Sequence, residues 1–120
     1  MLIHELSKIT GISIHTIRFY EKSGLISGKR DETIKSNNYF HYDEETAEKL
    51  EFITDAKSVG FTIREIGQII DAWYNKKFSK DEKVELLDQK LISLEQKLKE
   101  IKDMKKQISK FKEDILNDRC

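Results

Sequence analysis

No proline interrupts this 120-residue chain, so every break in its helices must come from glycine or a polar turn. Breaks are therefore expected at Gly11, Gly24, Gly28, Gly60 and Asn75. A single cysteine, Cys120, excludes an intrachain disulfide framework and points to a reducing compartment such as the cytoplasm. No apolar run approaches the length of a membrane span and no leader pattern opens the sequence, so no membrane partner is expected. Charge of neither sign prevails, with 22 basic and 22 acidic residues, which removes any bulk attraction to nucleic acid. His4, His15 and His41 fall in separate segments, and no glycine-rich phosphate loop or nucleophile–base pair accompanies them. An enzyme, a cofactor and a resident metal are accordingly not expected.

The informative part is what remains once these are set aside. Residues 2–26 read as two short helices joined at Gly11. Ser13 stands where an N-cap belongs, with Ile12 and Ile17 at the spacing of a hydrophobic staple. Gly24 takes the left-handed position that ends the second helix. That helix carries Arg18, Tyr20 and Lys22 beside an apolar stripe of Ile14, Ile17 and Leu25. A helix-turn-helix needs this division, one face buried and the other presented to a DNA groove. His15 and Thr16, one turn earlier, are placed for base-edge contact. Tyr20 is assigned to DNA contact, with packing beneath a neighbouring wing as the other reading.

The polar stretch from Ser27 to Asn38, returning through Tyr39 to Tyr42, reads as a two-stranded wing. Its Lys29, Arg30 and Lys35 suit phosphates, with Tyr39 and His41 near the returning strand. Asp43 caps a third helix whose first turn holds Glu44 and Glu45, and whose Ala47, Leu50, Ile53 and Ala56 face inward. Thr62 and Glu65 form a capping box for a fourth, with Ile66, Ile69, Ile70 and Trp73 in one apolar stripe. Arg64, in that helix's first turn, is placed to reach phosphate.

The last third is one helix, begun by a second capping box at Ser79 and Glu82. Val84, Leu87, Leu91, Leu94, Leu98 and Ile101 alternate at three- and four-residue steps, the seam of a coiled coil. Continued in the same heptad, the seam is broken at Lys105 and Lys112 and kept at Ile108 and Ile115. A helix of roughly 55 Å at 1.5 Å per residue, with no equally long partner in the chain, predicts a homodimer.

Three ordered blocks carry a family resemblance: HTIRFYEKSGLI (15–26), NNYFHYDEE (37–45) and VGFTIREIGQII (59–70). They resemble the helix-turn-helix signature, the wing-to-helix junction and the second helical pair of the MerR family of bacterial transcription regulators. The resemblance covers essentially the whole chain. It implies a mainly α fold: a winged helix-turn-helix DNA-binding head over 1–75, then an antiparallel coiled-coil dimerisation helix with a short tail over 76–120. It implies phosphate and groove contacts at Arg18 and Tyr20. It also implies a homodimer on double-stranded promoter DNA that affects RNA polymerase indirectly, by distorting an over-long promoter spacer, in the bacterial cytoplasm at the nucleoid. The pattern departs at Phe40, where most relatives carry an arginine after the wing tyrosine, leaving that phosphate to another residue such as His41. Metal-sensing relatives hold their ion with a cysteine pair in a loop after the long helix, which one cysteine cannot supply; the compact length and the segment SKDEKVELLDQKLISLEQKL (79–98) look closer to the short, aldehyde-responsive branch. Asp55, however, stands where thiol-sensing members of that branch place a cysteine. Two other readings stand beside regulation: an architectural or excisionase-like DNA-binding protein, and a coiled-coil protein whose head binds another protein.

Overall fold

The computed structural model describes residues 1–30 and 40–118. These form two compact units, Met1–Phe78 and a second beginning at Ser79. The first holds α1 (Ile3–Thr10), α2 (Ile14–Lys22), β1 (Lys29–Arg30), β2 (Phe40–His41), α3 (Glu44–Ser58) and α4 (Ile63–Ile70). A π-helical turn, Asp71–Asn75, extends α4. The second unit is α5 (Lys80–Leu116). Lys35, Tyr39 and Cys120 lie outside the described residues, and of Arg30 only the backbone is described.

Local chemistry sets the element boundaries. Gly11 ends α1 at φ +73°, its N–H donating to the Ser7 carbonyl. Ser13 then opens α2, its hydroxyl accepting the Thr16 N–H at 3.1 Å. At the other end Gly24, at φ +83°, donates to the Glu21 carbonyl while Leu25 N–H reaches back to the Tyr20 carbonyl at 3.0 Å. This is the Schellman closure, and it turns Leu25 into the core. Asp43 caps α3 by accepting from both the backbone N–H and the hydroxyl of Thr46, each at 2.9 Å. Those bonds, the backbone one foremost, hold its carboxyl below the usual range. The expected capping boxes at Thr62/Glu65 and Ser79/Glu82 are both formed.

Leu6, Ile17, Leu50, Ile53 and Ile66 are fully buried at the centre of the first unit, ringed by Tyr20, Leu25, Ile26, Tyr42, Ala56 and Ile70. Burying each of the five stabilises the head by about 1.5–3 kcal/mol. The apolar stripe expected to run unbroken from Ile66 to Trp73 instead widens after Ile70. There the Lys76 N–H bonds five residues back to the Asp71 carbonyl at 2.9 Å. Asp71 also accepts from the Asn75 amide at 2.9 Å and pairs with Lys76 at 3.3 Å, so side chains reinforce the wider turn. The turn brings Trp73 to 5.0 Å from the Phe52 ring, and Lys49 lies 4.8 Å over Tyr74.

Along the 37 residues of α5, the seam residues Val84, Leu87, Leu91, Leu94, Leu98, Ile101 and Ile108 are all exposed in the single chain. Lys105 and Lys112, at the strict heptad's positions, are exposed as well. Met104 and Phe111, one residue earlier in each case, are exposed apolar side chains that continue the row from Ile101 through Ile108 to Ile115. The row therefore contains two consecutive three-residue steps at Leu98, Ile101 and Met104, the kind of phase shift that locally overwinds a coiled coil.

Candidate nucleic-acid interface

Helix α2 divides by phase. Ile17 and Tyr20, three apart, are buried, while His15, Arg18, Phe19 and Lys22 are exposed at the i, i+3, i+4, i+7 spacing of one helical stripe. Tyr20, expected as a DNA contact, is only 4% exposed and belongs to the core. Its place one turn from Ile17 on the same face commits it there; its ring lies 5.7 Å from Phe19 and 5.7 Å from the Lys57 ammonium. The aromatic residue on the outer face is Phe19, at 49% exposure. Sequence reading by residue type passed over it, although the spacing from His15, Arg18 and Lys22 marks it. Thr16 is half-buried, and its hydroxyl accepts from Ser13 at 2.9 Å, so capping already engages it.

The wing strands pair antiparallel, Lys29 with His41 and Arg30 with Phe40. Strand alternation puts Phe40 and His41 on opposite faces, and two clefts follow. One, of about 530 Å³, is lined by Leu2, Ile3, His4, Arg18, Glu21, Phe40 and Tyr42, and joins the recognition helix to the wing. The other, of about 340 Å³, gathers Lys29 and His41 with Ser27, Tyr42, Asp43, Glu45, Thr46 and Lys49. The candidate cations thus separate: Arg18 lies with Phe40, whereas Lys29 and His41 share the second cleft. Arg64 is exposed in the first turn of α4.

At the wing's root, the Glu21 carboxylate accepts the Gly28 N–H at 3.1 Å and the Tyr42 O–H at 3.0 and 3.2 Å. Burial, and after it the bond to Glu21, pushes the Tyr42 hydroxyl up to about 12. The backbone of Tyr42 is tied to Met1 in both directions, its N–H donating to the Met1 carbonyl at 2.7 Å and its carbonyl accepting from the Met1 amine at 2.8 Å.

The residues present do not fit a thiolate metal centre. Such a site needs two or more soft ligands within reach of one ion, and this sequence has one cysteine. Among the described residues, no three His, Cys, Asp or Glu side chains are grouped to hold an ion. None of their helices is long and apolar enough to cross a membrane.

Known proteins share this arrangement. A protein of Haemophilus influenzae (strain ATCC 51907 / DSM 11121 / KW20 / Rd), named as a probable heavy metal-dependent transcriptional regulator, is 38% identical over 80 residues, 66% of this chain and 59% of that protein. The HTH-type transcriptional regulator HmrR of Sinorhizobium medicae (strain WSM419) is 33% identical over 89 residues, 73% of this chain. The present chain spans 58% of its length, less than two thirds of either relative. Among solved structures, the transcription regulator PbrR691 from Ralstonia metallidurans CH34, in complex with lead(II), superposes with a TM-score of 0.74 at 27% identity. It covers 90% of this chain and 81% of its own. HiNmlR, described as a MerR family regulator lacking the sensor domain and bound to promoter DNA, shares the fold at 20% identity, with a TM-score of 0.62 over 86% of this chain and 76% of its own. Residues 1–73 match the family described as MerR HTH family regulatory protein, and residues 47–111 the one described as MerR, DNA binding. The head, its wing and the long helix after it therefore belong to a member of the MerR family of helix-turn-helix regulators.

Proposed function

We propose that this protein is a homodimeric transcription regulator that binds a pseudo-palindromic promoter spacer and controls transcription by distorting it. The observation that carries the reading is the exposed stripe His15, Arg18, Phe19 and Lys22 on a helix anchored from behind by Ile17 and Tyr20, with the wing beside it. In this reading Arg18, Lys22, Lys29 and Arg64 neutralise phosphates, together with Arg30 and Lys35 from the wing. His15 faces base edges, and Phe19 lays its ring along the groove wall. The regulators named above, one of them bound to promoter DNA, support this reading by family.

The second copy is proposed from α5. Its apolar row has no cover in a single chain, and its charges are unevenly spread. Residues 80–96 hold three lysines against five acidic residues, whereas 97–112 hold seven lysines against two. Antiparallel pairing sets the acidic half of one helix against the basic half of the other; parallel pairing sets like against like. Promoter distortion is proposed with it: two heads held at a fixed separation would meet half-sites of another spacing where the intervening DNA yields, at about 1–6 kcal/mol.

Selection of duplexes from a random library by the wild-type protein, followed by footprinting, tests the reading. Two symmetric protected half-sites with a hypersensitive centre are expected. Selection of no duplex would overturn DNA binding, and protection of straight, undistorted DNA would overturn the distortion alone.

A further inference from the structure

Glu21 is an acid on the helix proposed to meet phosphates, where its charge opposes binding. Its bonds explain its presence. One carboxylate accepts from Gly28, which leads into β1, and from Tyr42, which leaves β2. Among the described residues, the wing ladder joins Lys29–Arg30 to Phe40–His41. The bonds to Glu21 tie both sides of that ladder to a neighbouring helix. Close packing reinforces them: a Cβ at Gly28 would lie 2.9 Å from Tyr42 Cε1 and 3.1 Å from both Tyr42 Cζ and Phe40 Cβ. Tyr42 itself is buried.

We infer that Glu21 is a positioning residue that tethers the wing to the recognition helix, so that Lys29 on the wing and Arg18 on α2 reach the DNA backbone as one rigid unit. Glu21 itself touches no nucleotide. The inference rests on the proposed DNA-binding function, and its test separates the two.

Duplexes selected by the wild-type protein are titrated against salt with the full-length chain. Lys29→Ala should lower the log–log salt slope by about 0.9 for each phosphate no longer neutralised. Glu21→Ala should lower it equally, and adding Lys29→Ala to Glu21→Ala should lower it no further. Arg18→Ala should still act in that background. Glu21→Gln should restore the slope, because the amide oxygen still accepts the Gly28 N–H and its NH₂ still faces the Tyr42 hydroxyl. Amide exchange at Gly28, measured without DNA, should speed up in Glu21→Ala and return toward wild type in Glu21→Gln.

Slope reductions that simply add for Glu21→Ala and Lys29→Ala would overturn the tether, as would Glu21→Gln behaving like Glu21→Ala. If Glu21→Ala does not fold, Tyr42→Phe, which removes one of the two donors, decides: a partial reduction in slope is expected and an unchanged slope refutes. A wild-type chain that selects no duplex refutes the DNA-binding function and the inference with it. Gly28 exchange tells that outcome apart from a failed tether.

Discussion

Two adjacent aromatic residues on α2 take opposite sides, and the difference is one of phase rather than chemistry. Tyr20 repeats the position of Ile17 and is drawn into the core, whereas Phe19 falls in line with His15 and Lys22 and stays out. The family resemblance favoured the tyrosine for DNA; helical period decides otherwise. Arg18, on the outer stripe, is expected to act through phosphate. Arg18→Ala should weaken binding to selected and random duplexes alike and lower the salt slope by about 0.9 for each phosphate it had neutralised. A variant that loses only the selected sites, at an unchanged slope, would reassign Arg18 to base recognition.

The elements were legible chiefly through their ends. Ser13, Asp43, Thr62 with Glu65 and Ser79 with Glu82 all cap as the spacing predicts, because a cap is a local bond between residues a few positions apart. The π-helical turn was not legible. It depends on Asp71 meeting both Asn75 and Lys76, and the same residues suit an ordinary helical turn. The row on α5 was legible in the sequence, where Met104 and Phe111 beside the heptad's Lys105 and Lys112 offer it a second phase. The α3 cap gives a pH test. Asp43's carboxyl lies below its ordinary 3.8, so its contribution to stability is fully present above that value and is lost as pH falls through the depressed one. Asp43→Asn should keep most of the capping bond yet flatten this acid limb, while Asp43→Ala should cost about 0.5–2 kcal/mol at neutral pH. Urea unfolding between pH 2 and 7 checks both; an acid limb unchanged in Asp43→Asn would assign it to other carboxylates.

For the whole molecule, the proposal turns on whether one helix per chain joins two DNA-reading heads. A lysine placed in the seam sets an ammonium in what would be an apolar interface, against the lysine-rich half of an antiparallel partner, so Leu91→Lys with Leu94→Lys should yield monomers by sedimentation. The heads need not be harmed, since they carry their own core from Leu6 to Ile70. Monomers should therefore keep single-half-site affinity in the range typical of weak, salt-sensitive binding and lose the advantage of joining two sites. The wild-type dimer carries a spacing requirement that monomers lack. Inserting about five base pairs between half-sites, half of a ~10.5 bp turn, puts the second half-site on the far side of the duplex, where the second head cannot meet it. Wild-type affinity should fall to the monomer level on that duplex and stay there when a full turn is inserted, which restores the face but moves the half-site about 34–36 Å further away, while the lysine variant should bind all three duplexes equally. Spacing-independent binding by a proven dimer would mean that the two heads are not held at a fixed separation, and promoter distortion would lose its mechanical basis.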